Sequence, residues 1–292
     1  MPLWDTFFKK GVFVIMKQRI LTAVVGLGIL LPILLLSGTF FFPVAVAVCC
    51  IIALVEMLRC MGLHRMWVIS VPTYVVAAVV PFLFRLADTA EKQKLTALLV
   101  VSCMLYLMAV SVFSYGKVTF AQLGETFLAC LYIIGGFNAI VFLRDLEGGK
   151  YIYLLVFIGA WVTDTFAYFS GVLFGKHKLI PKVSPKKTVE GSIGGTLFCI
   201  LSFLLFGLIL NKFFSFQADY LALCVSGLIV AIVSQVGDLC MSVIKRERGI
   251  KDYGNLFPGH GGMMDRFDSI LAVASILAII CSVTNLVIPI LS

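Results

Sequence analysis

Nine segments of the chain are long enough and apolar enough to cross a lipid bilayer as helices. A spanning helix needs about 20 consecutive, mostly apolar residues, and it satisfies its backbone polar groups internally where no water is present. We therefore predict an all-α polytopic membrane protein with about nine transmembrane helices. The predicted spans are residues 20–37, 40–58, 67–84, 96–115, 125–143, 151–174, 192–211, 219–243 and 267–291.

The composition excludes the common soluble classes of protein. Of the 292 residues, 61% are hydrophobic and 13% are charged, whereas a soluble domain has about 45–50% apolar and about 25% charged residues. A soluble enzyme, a disordered protein and a disulfide scaffold are thereby excluded. The nine Cys include no CxxC pair, so the sequence indicates no zinc or redox motif. Long unbroken apolar runs also exclude a β-barrel, whose strands alternate.

The basic residues of the predicted loops indicate the orientation, because cytoplasmic loops carry an excess of Lys and Arg. With the N-terminus in the cytoplasm, 17 Lys and Arg fall in cytoplasmic segments and 6 in external ones. We therefore predict a cytoplasmic N-terminus and, with nine spans, an external C-terminus. The basic start and the apolar run after it resemble a signal peptide. The length of that run and the eight spans beyond it favour an uncleaved first helix.

Charge is concentrated in two stretches of the C-terminal half. Residues 161–190 and 235–268 hold 17 charged side chains, and the predicted topology brings both to the cytoplasmic face. We interpret residues 1–150 as N-terminal transmembrane scaffold helices and residues 151–292 as a C-terminal catalytic transmembrane region. Its predicted cytoplasmic-face loops are residues 175–191 and 244–266.

The first charged stretch combines a carboxylate within a span with a basic segment. Asp164 lies among apolar residues, where an ionisable group indicates function by default; the alternative is a structural pair with a neighbouring helix. Five Lys fall within residues 176–187, and their alternative role is to set topology and attract anionic lipid. Lys186 and Lys187 precede a predicted helix entrance, where backbone N–H groups and the helix dipole also favour anions. We therefore predict a phosphate site there.

Glycines in the same stretch do not form a P-loop. Only three residues separate Gly171 from Gly175, and His177 stands where that motif requires Ser or Thr. We predict instead that Gly171, Gly175, Gly191 and Gly195 allow close helix packing.

The second charged stretch contains carboxylates at two helix ends. Asp238 lies near the end of one predicted helix, and Asp265 and Asp268 lie on one face at the start of the next. Carboxylates are the ligands that Mg²⁺ prefers, usually together with substrate phosphates and water. Cations and glycines fill the intervening loop, which suits phosphoryl or nucleotidyl transfer. The alternatives are a solvated turn with Asp–Arg pairs and, for His260, a structural histidine. The cations of this stretch are Lys245, Arg246, Arg248, Lys251 and Arg266.

The residues from Ser242 to Asp268 resemble the signature of the phosphatidate cytidylyltransferase family. Two upstream blocks, Asp164 to Gly171 and Ser184 to Gly191, are similar to further blocks of that family. Val189 is a departure, because the family commonly has Trp at that position. The positions that carry the main resemblance are Ser242, Lys245, Arg246, Lys251, Asp252, Gly254, Pro258, His260, Gly261, Gly262, Asp265, Arg266 and Asp268.

The resemblance implies a nucleotidyltransferase that converts CTP and phosphatidic acid to CDP-diacylglycerol and pyrophosphate in phospholipid biosynthesis. It implies Mg²⁺ as cofactor, leaves open a second cation, monovalent or divalent, and implies a homodimer. The expected partners are membrane lipids and the two substrates, with no nucleic acid. The expected location is the cell inner or plasma membrane, with the active site facing the cytoplasm.

The resemblance also implies roles for individual residues. Asp238 and Asp265 are the first choice as Mg²⁺ ligands, with Asp268 as a third. Asp164 is expected to support the metal or the substrate without being a direct ligand. The expected catalytic residues are Asp238, Asp265, Asp268, Lys245, Arg246 and Arg266. The expected substrate-binding residues are Lys186, Lys187, Lys251, His260, Gly261, Gly262 and Asp164.

Two other functions use similar parts. A CTP-dependent kinase acting on a membrane alcohol would share the metal and phosphate groups but would release CDP. An anion transporter would show internal repeats and broken helices in paired positions, and the sequence shows no repeat. A non-catalytic lipid-binding scaffold would not need three carboxylates beside five cations.

Overall fold

The computed structural model describes residues 24–26, 28–214, 216–259, 261–284 and 287–289, and it consists almost entirely of long helices. A helical segment at 24–26 and 28–35 precedes the first long helix. The helices are α1 (Phe41–Cys60), α2 (Trp67–Leu86), α3 (Thr89–Phe113), α4 (Phe120–Asp145), α5 (Gly149–Ile152), α6 (Leu154–Phe174), α7 (Val189–Phe213), α8 (Tyr220–Glu247) and α9 (Met264–Val283).

Eight helices of the described residues are long and apolar enough to span a membrane. They coincide with the second to the ninth predicted spans, which confirms the all-α polytopic fold. The first predicted span, residues 20–37, lies partly outside the described residues.

Two helices begin before their predicted apolar runs because polar side chains cap their N-termini. The Asp88 side chain accepts from the backbone N–H of Glu91 at 2.7 Å and starts α3 before its apolar part. Thr119 does the same for α4 through the N–H of Gln122. Pro72 and Pro81 lie inside α2 without ending it, as is tolerated in membrane helices.

The predicted last span, residues 267–291, is wrong at its C-terminal end. The helix ends at Val283, Thr284 has extended backbone, and Val287–Pro289 forms a strand (β4). This strand pairs antiparallel with Phe216–Ala218 (β3), in the connection between α7 and α8. A short apolar run has no period that separates strand from helix, so the apolar pattern extended the helix too far.

The predicted loop 175–191 contains regular structure. Lys178–Ile180 (β1) and Ser184–Thr188 (β2) form an antiparallel hairpin, and α7 begins directly after it. The second predicted loop, 244–266, is shorter than expected because α8 continues to Glu247 and α9 starts at Met264.

Helix α9 occupies the centre of the bundle, where it packs against α1, α4, α6 and α8. A close pair of helices, α6 and α7, lies beside it. A Cβ atom at Gly195 of α7 would lie 2.7 Å from the Thr163 carbonyl oxygen of α6. Glycine is therefore required at this crossing, which confirms the predicted close packing. The ends of α6 and α8 and the starts of α7 and α9 meet at one end of the bundle.

Candidate active site

Three carboxylates from three different helices lie near enough at this end of the bundle for their charges to interact. The charge of Asp164 on α6 interacts with those of Asp238 on α8 and of Lys187 and Arg266. The charge of Asp268 on α9 interacts with those of Asp238, Lys245 and Asp164. The Ser269 hydroxyl donates a hydrogen bond to Asp164 at 3.1 Å. We call Asp164, Asp238 and Asp268 the carboxylate cluster.

Close contact between α8 and α9 brings two members of the cluster together. Gly237 precedes Asp238, and a Cβ atom at this position would lie 2.6 Å from Ala272 Cβ and 3.1 Å from the Asp268 carbonyl oxygen. The Tyr132 hydroxyl of α4 donates to the same carbonyl oxygen. The backbone of α8 therefore packs directly against α9 beside Asp238 and Asp268. Only glycine at position 237 permits this close approach.

Lys187 reaches the carboxylate cluster from strand β2. Its ammonium forms an ion pair with Asp238, and both side chains are about one quarter exposed. Side chains alternate between the two faces of a strand, and the neighbouring Lys186 is exposed. Thr188 then caps α7 by accepting from the N–H of Gly191 at 3.1 Å. The predicted helix entrance is present, and it brings Lys187 rather than Lys186 to the cluster.

Asp265 is buried and holds the loop before α9 rather than joining the cluster. One carboxylate oxygen accepts from the Lys245 ammonium at 2.8 Å, and the other accepts from the backbone N–H groups of Tyr253 at 2.8 Å and Gly262 at 2.9 Å. A carboxylate offers about four acceptor positions, so three of those of Asp265 are used. Lys245 is also buried.

Tyr253 fixes the same loop to α8. Its hydroxyl donates to the Met241 carbonyl oxygen at 2.9 Å, and the Lys245 ammonium lies 5.3 Å from its ring centre. Burial raises the pKa of the Tyr253 phenol well above its ordinary value. The phenol therefore stays protonated and remains a donor throughout the physiological pH range.

The sequence interpretation missed Glu56 of α1. This carboxylate is buried and accepts from the backbone N–H groups of Met263 at 3.0 Å and Met264 at 2.8 Å. The rule applied to Asp164, that a carboxylate within a span indicates function, applies equally to Glu56. Glu56 lies within the predicted apolar span of residues 40–58, and this position is the signal that identifies it.

A cavity of about 470 Å³ opens beside the carboxylate cluster, within the usual range for small-molecule sites. Arg266 connects the two, since it lines the cavity and its charge interacts with that of Asp164. The Phe257 N–H donates to the Gly261 carbonyl oxygen at 2.8 Å and closes the turn that forms one wall. The lining residues are Lys251, Asp252, Asn255, Phe257, Pro258, Gly259, Gly261 and Arg266.

The remaining predicted site residues differ in their positions. Arg246 is exposed and contacts the hairpin, with its Nε 3.4 Å from the Val183 carbonyl oxygen. The N–H of Gly262 is used by Asp265, while Gly261 lines the cavity. His260 lies outside the described residues. The structure thus brings together the carboxylate cluster with Lys187 and Arg266, and it leaves Lys186 and Arg246 at the surface.

The carboxylate cluster fits a magnesium site that substrate completes. Among the described residues, no three His, Cys, Asp or Glu side chains converge closely enough to hold a metal alone. Mg²⁺ is usually bound by one or two carboxylates with substrate phosphates and water. Asp238 and Asp268 meet this requirement better than Asp265, whose oxygens already accept three hydrogen bonds.

Comparison with known proteins agrees with the signature. Proteins named phosphatidate cytidylyltransferase from Staphylococcus haemolyticus, Staphylococcus epidermidis and Staphylococcus aureus are 35%, 34% and 36% identical to this chain. Each similarity covers 91% of this chain and 98% of the relative. The cytidylyltransferase family matches residues 17–284. With its helical bundle and the predicted family resemblance confirmed, the chain belongs to the cytidylyltransferase family.

Proposed function

We propose that the protein is a phosphatidate cytidylyltransferase, which converts CTP and phosphatidic acid to CDP-diacylglycerol and pyrophosphate. The observation that carries the proposal is the cavity beside the carboxylate cluster, at the end of a bundle of membrane-spanning helices. A lipid phosphate can reach this end from the bilayer and a nucleotide from water. The named relatives support the same reaction.

The reaction needs charge neutralisation more than a strong base. A phosphate oxygen of phosphatidic acid attacks the α-phosphorus of CTP, the bond from that phosphorus to the bridging oxygen of the β-phosphate breaks, and pyrophosphate leaves. The second pKa of a phosphate monoester is about 6, so the attacking group is already largely ionised near pH 7. Lys251 and Arg266 line the cavity, and Lys187 lies at Asp238. These cations reduce the repulsion between two polyanions.

We also propose that Asp238 and Asp268 hold Mg²⁺, with Asp164 supporting them and Asp265 as the less favoured ligand. The metal, when bound, neutralises phosphate charge and stabilises the departing pyrophosphate. With Asp238 bound to the metal, the ammonium of Lys187, which pairs with Asp238 in the structure, would be available to a phosphate. A second, monovalent or divalent, cation stays a prediction.

The proposed site faces the cytoplasm of the cell inner or plasma membrane. The excess of basic residues in the loops at this end supports the orientation. The basic hairpin also contacts the end of α8, through Lys187 with Asp238 and through Val183 with Arg246. The homodimer stays a prediction from the family resemblance.

The cavity assignment is tested with Lys251→Gln and Arg266→Gln. Hydrogen bonds to charged groups contribute about 1.5–3 kcal/mol, so each variant should raise the KM for CTP about tenfold or more. Lys182→Gln, at an exposed position of the hairpin turn, is the matched control and should leave the KM for CTP unchanged. An unchanged KM for CTP in both cavity variants would contradict binding of CTP in this cavity.

A further inference from the structure

Glu56 links the N-terminal half of the chain to the loop that forms the cavity. It lies on α1, and its carboxylate oxygens accept from Met263 and Met264, the residues at the start of α9. The first N–H groups of a helix have no partner within the helix, and its N-terminus favours a negative charge. Glu56 therefore caps α9 from a helix more than 200 positions earlier in the chain.

The loop before α9 packs tightly against the Glu56 carboxylate. A Cβ atom at Gly254 would lie 2.8 Å from Glu56 Cδ, and one at Gly262 would lie 2.5 Å from it. Both positions are glycine, so the loop can close over the carboxylate. Asp265 holds the same loop from the other side through the N–H groups of Tyr253 and Gly262.

A carboxylate is an unfavourable choice for a residue that only fills space. Glu56 is 5% exposed, and no ion pair of the described residues includes it. Burying a charge is costly unless it is paired or hydrogen-bonded. The two N–H groups and the helix N-terminus offset this cost. The hydrogen bonds therefore fix the position of the Glu56 carboxylate and of the start of α9 relative to each other.

The start of α9 sets two walls of the cavity. Gly261, two residues before Met263, lines the cavity, and so does Arg266, two residues after Met264. A displacement of Met263 and Met264 therefore moves both walls and the Arg266 side chain. We propose that Glu56 is a positioning residue for nucleotide binding, which acts through the backbone of Met263 and Met264. The nucleotide in this statement is CTP, which rests on the proposed function.

The main test compares Glu56→Gln with Glu125→Gln. Gln keeps the length of the side chain but turns an NH₂ group towards one of the two N–H donors. Glu125 is the matched control because it also contacts this region, through an exposed ion pair with Arg248, which contributes little. We expect Glu56→Gln to raise the KM for CTP about tenfold or more, as for a lost hydrogen bond to a charged group. The KM for phosphatidic acid should change less, and Glu125→Gln should change neither.

Hydrogen exchange gives a measurement that needs no substrate. The amides of Met263 and Met264 should exchange faster in Glu56→Gln than in the unaltered protein and in Glu125→Gln. A lower melting temperature with unchanged KM values would mean that Glu56 only stabilises the fold, and it would overturn the proposal. Unchanged exchange at both amides would also overturn it.

A second variant tests the positioning role of Glu56 if Glu56→Gln does not fold. Gly254→Ala pushes on the same contact from the loop side, whereas Gly135→Ala on α4 meets no atom of the described residues within 4 Å. The proposal predicts a raised KM for CTP in Gly254→Ala alone, and equal KM values in the two would overturn it. If the unaltered protein forms no liponucleotide, the proposed function fails. The exchange rates of Met263 and Met264 then still decide whether Glu56 holds the loop.

Discussion

The carboxylates near the site differ in what they contact. Asp265 and Glu56 accept hydrogen bonds from backbone N–H groups and hold the loop before α9. The charge of Asp238 interacts with the like charges of Asp164 and Asp268, and its ion-pair partner among the described residues is the partly exposed Lys187. Like charges at close range are unfavourable until a cation separates them. The first two carboxylates therefore stabilise structure, whereas we propose that the cluster binds metal and substrate.

This difference predicts opposite effects of two similar substitutions. Asp238→Asn should abolish formation of the lipid product while changing the free energy of unfolding by less than about 1 kcal/mol, since its ion pair is partly exposed. Asp265→Asn should destabilise the protein by about 3–5 kcal/mol, because it removes the ion-pair partner of the buried Lys245.

Turnover and thermal melting in detergent, measured on both variants, check this prediction. A normal rate of turnover in Asp238→Asn would remove that residue from the metal site. Unchanged melting in Asp265→Asn would show that its hydrogen bonds with Lys245 and the loop contribute little.

At the scale of elements, helix crossings set the spacing of the carboxylate cluster. Gly237 lets α8 approach the backbone of α9 at Asp268, and Gly195 lets α7 approach α6 near Asp164. Neither contact is made by a charged side chain. The first nevertheless fixes the position of Asp268, and the second that of Asp164.

Gly237→Ala should therefore lower kcat, because the added Cβ forces α8 and α9 apart between Asp238 and Asp268. Overpacking of this kind costs about 1–3 kcal/mol of stability. Gly124→Ala on α4, where no described atom lies within 4 Å, is the control and should keep both kcat and melting temperature. Equal kcat values for the two variants would show that this crossing does not set the site.

The elements also show where sequence patterns suffice. Lipid requires long apolar helices, so eight spans could be predicted from composition and length alone. The hairpin of β1 and β2 could not, since its exposed basic strands have no apolar pattern. The predicted signature residues do surround the site, but the contacts of Asp265 with Tyr253 and Gly262 depend on tertiary packing. Glu56 could be identified from its position within a span, but its contacts with Met263 and Met264 could not, because these residues lie in a distant part of the chain.

The whole molecule has polar groups at both ends of an apolar bundle. At the end opposite the site, Asp145 binds Arg85 and the buried Lys92. The Arg85 guanidinium also donates to the Gly38 carbonyl oxygen at 2.7 Å. The Asp145 carboxylate thus lies between two cations, an arrangement that ties α2, α3 and α4 together. The end with the cavity holds the loop before α9 and the hairpin of β1 and β2.

The proposed orientation predicts which end is accessible from outside an intact cell. A Cys introduced at Lys94, near the start of α3, should react with a membrane-impermeant thiol reagent in intact cells. A Cys at Lys182, in the hairpin turn, should react only after the membrane is opened. Both residues are exposed, so burial does not explain a difference. The reverse pattern, measured against the background of the parent chain, would invert the topology.

The most direct test of the proposed function follows the two phosphates of CTP that distinguish the possible reactions. Purified protein is incubated with phosphatidic acid, Mg²⁺ and CTP labelled at either the α- or the γ-phosphate. Cytidylyl transfer predicts that the α-label enters the lipid as CDP-diacylglycerol and that the γ-label leaves as pyrophosphate. Transfer of the γ-label to lipid with release of CDP would identify a kinase, and retention of both labels in CTP would exclude catalysis; either result would contradict the proposed function.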